Sequence, residues 1–599
     1  MMLTNISVDQ APLNASSDLK KDKIVEAFFN AGNIFRTLGK LDKAIEFYNK
    51  CLLLNPEYTN AYYNMGLIFK NQGELNISVE AFKKCVLYKP DFVEAYHNLG
   101  IILKNKGEYE KSIKAFRKCI ELKPYYTEAY NNIGIVLKDQ GKFEEAIETY
   151  NYAISIDPYY AQIHNNLGLA LKEQDKLDQA IVAFEKALSI KPDYELAWLN
   201  GADALEHWNK LDKLEIWLAK AYLSFEIIPS GIKLFKAQLL WRNKNFTEFS
   251  KIISEINYQT LPDTLKGKYF ILKGKQFEKE KNFDNAFACF SKKNVLAQNS
   301  RDYFKYNSGK YFQNLKDQLI KLKTLPPQKT ITFPLEKDNF SPVFLIGFPR
   351  SGTTLLDNIL RSHSKIEVVE EKPAVKSVIT FLNRNGYNDL TNKISSKTLL
   401  KKTKDIYKTE FQNYVKDFDP AFVYIDKLPL NIVNIPLIHQ LYPKAKFIFA
   451  LRHPMDAILS CWMQDFKLNY AMVNMVDLDR IVELYNKVMS TFKTCRDRYN
   501  LNIHEIKYED LLDDLNGEIS PLLKFLDLEW EPQMRNYRKK ALKRGRINTP
   551  SYSQVVQPIY RHAKYRWINY KKYLDKYFNQ IDPWINEFRY TANGKQKKC

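Results

Sequence analysis

Cysteine is scarce in this sequence, seven in 599 residues, and the number is odd. None of them has the spacing of a metal-ligand set, and an odd count in a long chain favours a reducing, cytoplasmic setting over a disulfide framework. Glycine and proline, 20 and 24, are too few for a collagen-like or low-complexity chain. No apolar run approaches the ~18 residues that a membrane-spanning helix needs. Met1 to Lys23 is polar with mixed charge and lacks the basic start and apolar stretch of a signal peptide, so none is expected. What remains is an ordinary globular composition, 45% hydrophobic and 27% charged. At ~150 residues per domain, the length predicts several domains.

The charge is lopsided. Of the net +21, residues 1–300 carry +3 and residues 301–599 carry +18. A basic half implies an anionic partner: nucleic acid, a membrane surface, or a small molecule bearing phosphate or sulfate. No interleaved aromatic and basic motif of a nucleic-acid reader is present, so no specific nucleic-acid binding is expected.

The near-neutral half is periodic. Prolines at 56, 90, 124, 158 and 192, and glycines at 32, 66, 100, 134 and 168, recur every 34 residues. Small residues recur at Ala44, Ser78, Ser112, Ala146 and Ala180, and at Cys51, Cys85, Cys119, Ala153, Ala187 and Ala221. Turn glycines stand at Gly39, Gly73, Gly107 and Gly141, with Asp175 in the fifth copy. Apolar residues at helical spacing flank each turn, and small residues are needed where two helices cross closely. This pattern resembles the tetratricopeptide repeat (TPR) and predicts an all-α superhelical solenoid. Five clear copies and a degenerate sixth make a TPR array over 24–228. Decayed TPR-like helices follow over 229–300, where Gly274 and Ala286 keep the 12-residue separation of Gly32 and Ala44. A concave face of this kind binds an extended peptide or protein. Asn30, Asn64, Asn98, Asn132 and Asn166, again 34 apart, either serve such a peptide or satisfy neighbouring backbone inside the solenoid.

A linker region over 301–341 contains a helix from Phe312 to Leu325 and then Pro326-Pro327. The second domain, 342–585, opens on VFLIGFPRSGTTLLDNIL. Val343 to Ile346 reads as a buried parallel strand, Gly347 to Thr354 as a turn, and Leu355 onward as a helix. Strand, Gly-rich turn and helix form the context in which backbone N–H groups cradle an anion. The glycine spacing matches a Walker A loop, but Thr353 stands where that loop carries Lys, which argues against ATP or GTP hydrolysis. Further strands are expected at Phe447–Leu451, before Lys427 and before Tyr508. A basic tail, 586–599, closes the chain.

These residues resemble the sulfotransferases that use 3′-phosphoadenosine 5′-phosphosulfate (PAPS). GFPRSGTT resembles their 5′-phosphosulfate loop; Arg452 and Ser460, eight residues apart after a strand, resemble their 3′-phosphate site. TPSYSQVVQPIYRHAKYRW, with Ser551, Gln554, Pro558 and Arg566-Trp567, resembles a late cofactor loop. Glu370-Glu371 is similar to a marker of the protein-tyrosine sulfotransferase branch, although Gln464 and Arg566 stand where that branch carries Arg and Lys. The resemblance implies an α/β, P-loop-like domain with a central parallel sheet, and a PAPS-dependent enzyme that needs no metal.

It also implies roles. Backbone N–H groups of Arg350, Ser351, Gly352, Thr353 and Thr354 would hold the 5′-phosphosulfate. Arg350 and Lys427 would neutralise charge on the sulfuryl group, and Ser551 would hydrogen-bond it. Arg452 and Ser460 would grip the 3′-phosphate, and Tyr508, Gln554 and Arg566 would complete the nucleotide site. Glu371 inherits the catalytic base, with Glu367, Glu370, His363, His453 and His562 as rivals. The acceptor would be a tyrosine of a protein recruited by the repeats, with a glycan, a lipid or a small molecule as alternatives. The contrasting reading is a repeat scaffold whose second domain binds nucleotide without turnover. A cytoplasmic, bacterial enzyme, with a homodimer admitted, completes the expectation.

Overall fold

Each repeat is built around one close approach. In the computed structural model, the ring of Phe116 lies so near Gly100 that a Cβ there would come within 2.7 Å of it. Gly32, Gly66, Gly134 and Gly168 meet Tyr48, Phe82, Tyr150 and Phe184 in the same way. The glycine therefore pairs with an aromatic residue 16 positions later, and the ring fills the space between the two helices. Ser78 and Ser112 donate to the carbonyls of Gly66 and Gly100 at 2.6 and 2.7 Å, which fixes the same crossing with a buried hydrogen bond. Burial pushes the Cys85 and Cys119 thiols up to about 12, so they pack as small apolar side chains. The turn glycines sit at φ between 71° and 80°, and Asp175 takes the same left-handed region at φ 62°, where a residue with a Cβ is strained.

Gly100→Ala is expected to overpack its repeat by ~1–3 kcal/mol. That lowers the thermal midpoint of the repeats by roughly 2–10 °C, measurable by circular dichroism. An unchanged midpoint would remove the glycine–ring contact from the account.

The structure describes residues 18–306, 309–325, 340–391, 394, 396–415, 417–544, 549 and 563–591. The chain divides into two compact units, Met1–Ala204 and Leu205–Cys599. In the first, helix pairs run from Asp18–Thr37 and Leu41–Leu54 to Ala161–Glu173 and Leu177–Ile190. The division falls inside the helix Glu195–His207, within the degenerate sixth copy, and not near residue 300 where the sequence ends its decayed repeats.

The repeat asparagines bond within the solenoid. Asn64 donates to Asn33 at 2.8 Å, Asn166 to Asn131 at 2.8 Å, and Asn200 to Asn165 at 2.9 Å. Asn98 reaches Tyr63 and the Glu94 carbonyl, and Asn132 contacts His97. Of the two sequence readings, these amide contacts favour satisfaction by neighbouring repeats over service to a peptide.

The second unit begins with helices, among them Asp263–Lys279 and Phe283–Gln298. These two keep the repeat logic: a Cβ on Gly274 would lie 2.8 Å from the Phe290 ring. Ala286 and Phe290 nevertheless belong to one core with Phe344, Trp462 and Tyr570. The helix Lys310–Thr324, placed in the linker by sequence, buries Leu315 and Leu322 in that same core. The packed structure also continues past residue 585: the helix Phe578–Glu587 is followed by a fully buried Tyr590.

The α/β part is a five-stranded parallel sheet of β1 (Val343–Gly347), β2 (Ile366–Glu370), β3 (Val423–Lys427), β4 (Lys446–Leu451) and β5 (Asn502–Lys507), in the order β2-β3-β1-β4-β5. All five residues of β1 are buried, as a central strand with both faces covered requires. Sequence reading anticipates β1, β3, β4 and β5; β2 is the strand it does not anticipate. The chain leaves β1 for β2 on one side and β4 for β5 on the other. The loops after β1 and β4 therefore diverge and open a crevice at the carboxyl ends of the strands, where ligands of such sheets bind.

Candidate active site

The loop after β1 is shaped by two tight contacts. A Cβ on Gly347 would lie 2.7 Å from both the Ala450 carbonyl and Ser351 Oγ, and one on Gly352 would lie 2.6 Å from the Tyr508 ring. Arg350 and Gly352 both take positive φ, 69° and 95°, so the backbone folds back on itself before the helix Thr353–Leu360. For Arg350 this is a sparsely populated conformation, costing ~1–3 kcal/mol and characteristic of functional turns. Ser351, Thr353 and Thr354 are buried. Ser351 Oγ is buried without a hydrogen-bond partner among the described residues. An orphaned hydroxyl inside a turn of N–H groups at a helix N-terminus is a donor set for an anion.

The loop after β4 closes on the first. Arg350 Nε donates to Ser460 Oγ at 3.1 Å. Arg452 donates to the Arg350 carbonyl at 3.2 Å and to the Ala563 carbonyl at 2.6 Å, and its guanidinium lies 4.9 Å from the Tyr508 ring centre. The Cys461 thiol donates to the Pro349 carbonyl at 3.3 Å. Glu509 takes the His453 backbone N–H at 3.0 Å and the Tyr590 hydroxyl at 2.8 Å, which fixes the Arg452-His453-Pro454 turn. Thus Arg350, Ser351, Gly352, Arg452, Ser460 and Tyr508, placed apart in sequence, share one crevice.

Beside them, β2 and β3 end in register with Glu370 opposite Lys427. Lys427 Nζ donates to Glu370 at 3.2 Å and to Glu371 at 3.0 Å, and its side chain is fully buried. Arg544 donates to the other Glu370 oxygen at 2.5 Å and lies 3.6 Å from Asp357. Asp357, on the loop helix, also accepts from Arg361 at 2.5 Å. Burial opposes the charge on Lys427, but Glu370, Glu371 and Asp357 outweigh it and hold the ammonium above its ordinary value. Burial likewise works against ionised Glu370, yet Lys427, Arg544 and Arg361 hold its carboxyl well below the usual range.

That depression has a sign. A carboxyl lowered in the folded protein contributes stability above its unfolded value and loses it as pH falls. The second unit should therefore weaken as pH drops below about 4.5, the ordinary Glu value. Glu370→Gln should flatten this acid loss, read from denaturant midpoints between pH 3 and 6. An acid loss as steep in the variant as in the parent would show that Glu370 is not responsible.

The rivals for the base separate by environment. Glu370 is 4% exposed and doubly paired with cations, so it is a poor proton acceptor. The Glu371 side chain is 29% exposed. Its backbone stands at φ 51° and its N–H donates to the Lys427 carbonyl at 2.8 Å. Glu367 lies one residue out of phase with Glu370 along β2 and so points to the other face. His363 is tied through both ring nitrogens, to the Glu529 carbonyl and the Lys365 N–H. His453 is buried against Trp567, and burial pushes it down to about 3.

Ser551, Gln554, Pro558 and His562 lie outside the described residues; Thr549, just before them, accepts a hydrogen bond from Thr354 at 3.1 Å. Arg566 pairs with Glu278 of the helix Asp263–Lys279 through Nε at 2.7 Å. Its neighbours Tyr565 and Trp567 donate backbone N–H groups to Asp456 at 2.7 and 2.9 Å, which ties this segment to the helix Pro454–Met463. Sequence reading missed Arg544 and Asp357. The first stands in a Lys- and Arg-rich run from Arg535 to Arg546 to which the sequence assigns no role, and nothing local marks its partner.

Residues 342–532 match the model of the Sulfotransferase family, and 32–73, 59–92, 93–126, 134–175 and 161–194 match models of the tetratricopeptide repeat. The chain carries tetratricopeptide repeats and a sulfotransferase domain. An uncharacterized protein of Aquifex aeolicus (strain VF5) is 27% identical over 325 residues, covering 53% of this chain and 42% of that protein. Protein-tyrosine sulfotransferase 1 of Danio rerio is 24% identical over 238 residues, covering 38% of this chain and 65% of its own length. The chain thus spans less than two thirds of either relative. Among solved structures, that of MamA is 32% identical, covering 27% of this chain and 94% of its own, with a TM-score of 0.26. In the sulfotransferase domain the family match takes in every strand of the sheet and both loops of the crevice. No helix among the described residues is long and apolar enough to cross a membrane.

Proposed function

We propose that the second unit transfers a sulfuryl group from PAPS to an acceptor hydroxyl, a tyrosine of a protein engaged by the repeats. The observation that carries this reading is the crevice itself. A buried Ser351 hydroxyl with no hydrogen-bond partner among the described residues, the Arg350–Ser460 pair and the Lys427–Glu371 pair all stand at the carboxyl ends of adjacent strands. The donor set suits a nucleotide with two separate anionic groups: turn N–H groups from Arg350 to Thr354 for one, and Arg452 with Ser460 for the other. Arg is suited to the second because its fork donates bidentately.

PAPS supplies the sulfuryl group: its bond from sulfur to the bridging oxygen of the 5′-phosphate breaks as the acceptor oxygen bonds to sulfur. Glu371 takes the acceptor's proton. Lys427, held between Glu370 and Glu371, donates to the Glu371 carboxylate and aims it before the proton arrives. Arg350 offsets the charge that builds on the departing phosphate oxygen. By analogy with phosphoryl transfer, positioning and charge stabilisation do most of the catalysis. A tyrosine acceptor is supported by the Glu370-Glu371 pair and by similarity to the Danio rerio enzyme; a protein acceptor is supported by the repeats.

The test uses sulfur-labelled PAPS and tyrosine-containing peptides with the full chain. Arg350→Ala should lower transfer by ~10²–10³-fold, the effect of removing one preorganised donor. Retention of full activity in that variant would take the loop out of the mechanism.

A further inference from the structure

The helix Phe283–Gln298, decayed repeat by its sequence, reaches into the sulfotransferase domain with buried polar groups. Lys293 is 2% exposed, yet its ammonium donates to two backbone carbonyls, Trp462 at 3.0 Å and Gln464 at 2.6 Å. Asn294, 3% exposed, donates to the same Trp462 carbonyl at 3.0 Å. Phe287 stacks on the Trp462 ring at 4.5 Å. These contacts all land on the last turn of the helix Pro454–Met463 and the residue after it. The carbonyls at a helix end have no partner within the helix and carry its negative dipole end, so a buried cation with two donors is a strong cap. Burial pushes the Lys293 ammonium down to about 8, which leaves it protonated at neutral pH, with Asp465 as the opposing charge.

That helix holds Ser460, the partner of Arg350, and begins directly after Arg452 and His453. Its other end is fixed by Glu509 through the His453 N–H. With the Lys293 cap, both ends are clamped. A lysine inside a TPR-like helix has no packing role that Leu or Ala would not fill better.

We propose that Lys293, with Asn294, is a positioning residue of the donor site: it caps the helix Pro454–Met463 and thereby sets Ser460 at the second anionic subsite. The decayed repeat is then part of the catalytic unit and not a spacer before it. The proposal rests on the PAPS reading above, since it needs Ser460 to meet the 3′-phosphate.

The experiment compares, by calorimetry on the full chain, affinity for 3′-phosphoadenosine 5′-phosphate with affinity for adenosine 5′-phosphate, which lacks the 3′ group. Lys293→Met should weaken the first about tenfold, the scale of one charge-assisted hydrogen bond lost, and leave the second unchanged. Lys293→Arg, which keeps charge and donors, should restore most of the difference. Should the Met variant fail to fold, Asn294→Ala, which removes one donor only, should show the same selective loss at about threefold, the scale of a neutral hydrogen bond. Equal weakening for both nucleotides, or none in a folded variant, overturns the positioning role. Absence of binding by the unaltered protein overturns the PAPS reading instead, and the proposal with it.

Discussion

Lys427→Met should reduce sulfuryl transfer by at least ~10³-fold, because it removes both a cation at the reacting centre and the group that holds Glu371. The side chain is fully buried between two carboxylates. Methionine fills a similar volume but takes the ammonium away from both carboxylates, leaving Glu370 to Arg544 and Arg361 and Glu371 without its ion-pair partner. Removing one member of a buried ion cluster also costs ~3–5 kcal/mol of stability. The rate must therefore be read on folded protein, with circular dichroism as the control. Nucleotide binding through Arg350 and Arg452 should change by only a few-fold. A variant that folds and turns over at the parental rate would show that the cluster is structural alone.

Glu371→Gln carries the second large effect. Glutamine keeps the shape and can still accept from Lys427 through its amide oxygen, but it cannot take a proton. A general base contributes ~10²–10⁴-fold, and a loss of that size in kcat, with donor affinity unchanged, is expected from single-turnover transfer of label. The opposite substitution in the pair is informative. Glu370 is already held ionised by Lys427 and Arg544, so Glu370→Gln should act on acid stability more than on rate. If the two variants exchange these signatures, the base is Glu370 and the geometric assignment of Glu371 is wrong.

What could be read from the sequence divides along a physical line. The repeats were legible because each copy must place a glycine against a ring and a small residue at the helix crossing, so the same constraint recurs every 34 residues. The phosphate loop was legible because strand, positive-φ turn and helix N-terminus are contiguous. Arg452 and Ser460 were likewise close in sequence. The groups that hold these residues in place were not legible. Arg544 meets Glu370 across 174 positions, and Lys293 meets Trp462 across 169. Neither pairing follows from local pattern; each exists because the fold brings a basic side chain to a buried acceptor. The short strand β2 escaped notice for a related reason: its five residues include two glutamates, one of them buried only because Lys427 and Arg544 reach it.

The lopsided charge is now partly accounted for. Arg544 serves the Glu370 and Asp357 carboxylates, Arg361 serves Asp357, and Arg566 serves Glu278. These cations neutralise the buried Glu370 and Asp357 and the half-buried Glu278 within the unit and are not spare charge for a polyanion. Arg350 and Arg452 stand at the crevice, where Arg350 donates to Ser460 Oγ and Arg452 to the Arg350 and Ala563 carbonyls.

The central claim is that the crevice between the loops after β1 and β4 takes a nucleotide bearing both a 5′ and a 3′ anion. Calorimetric titration of the full chain with 3′-phosphoadenosine 5′-phosphate tests it most directly. The account predicts saturable binding at one site, weakened by Arg350→Ala and much tighter than binding of adenosine 5′-phosphate. No binding, or equal affinity for the two nucleotides, would contradict it.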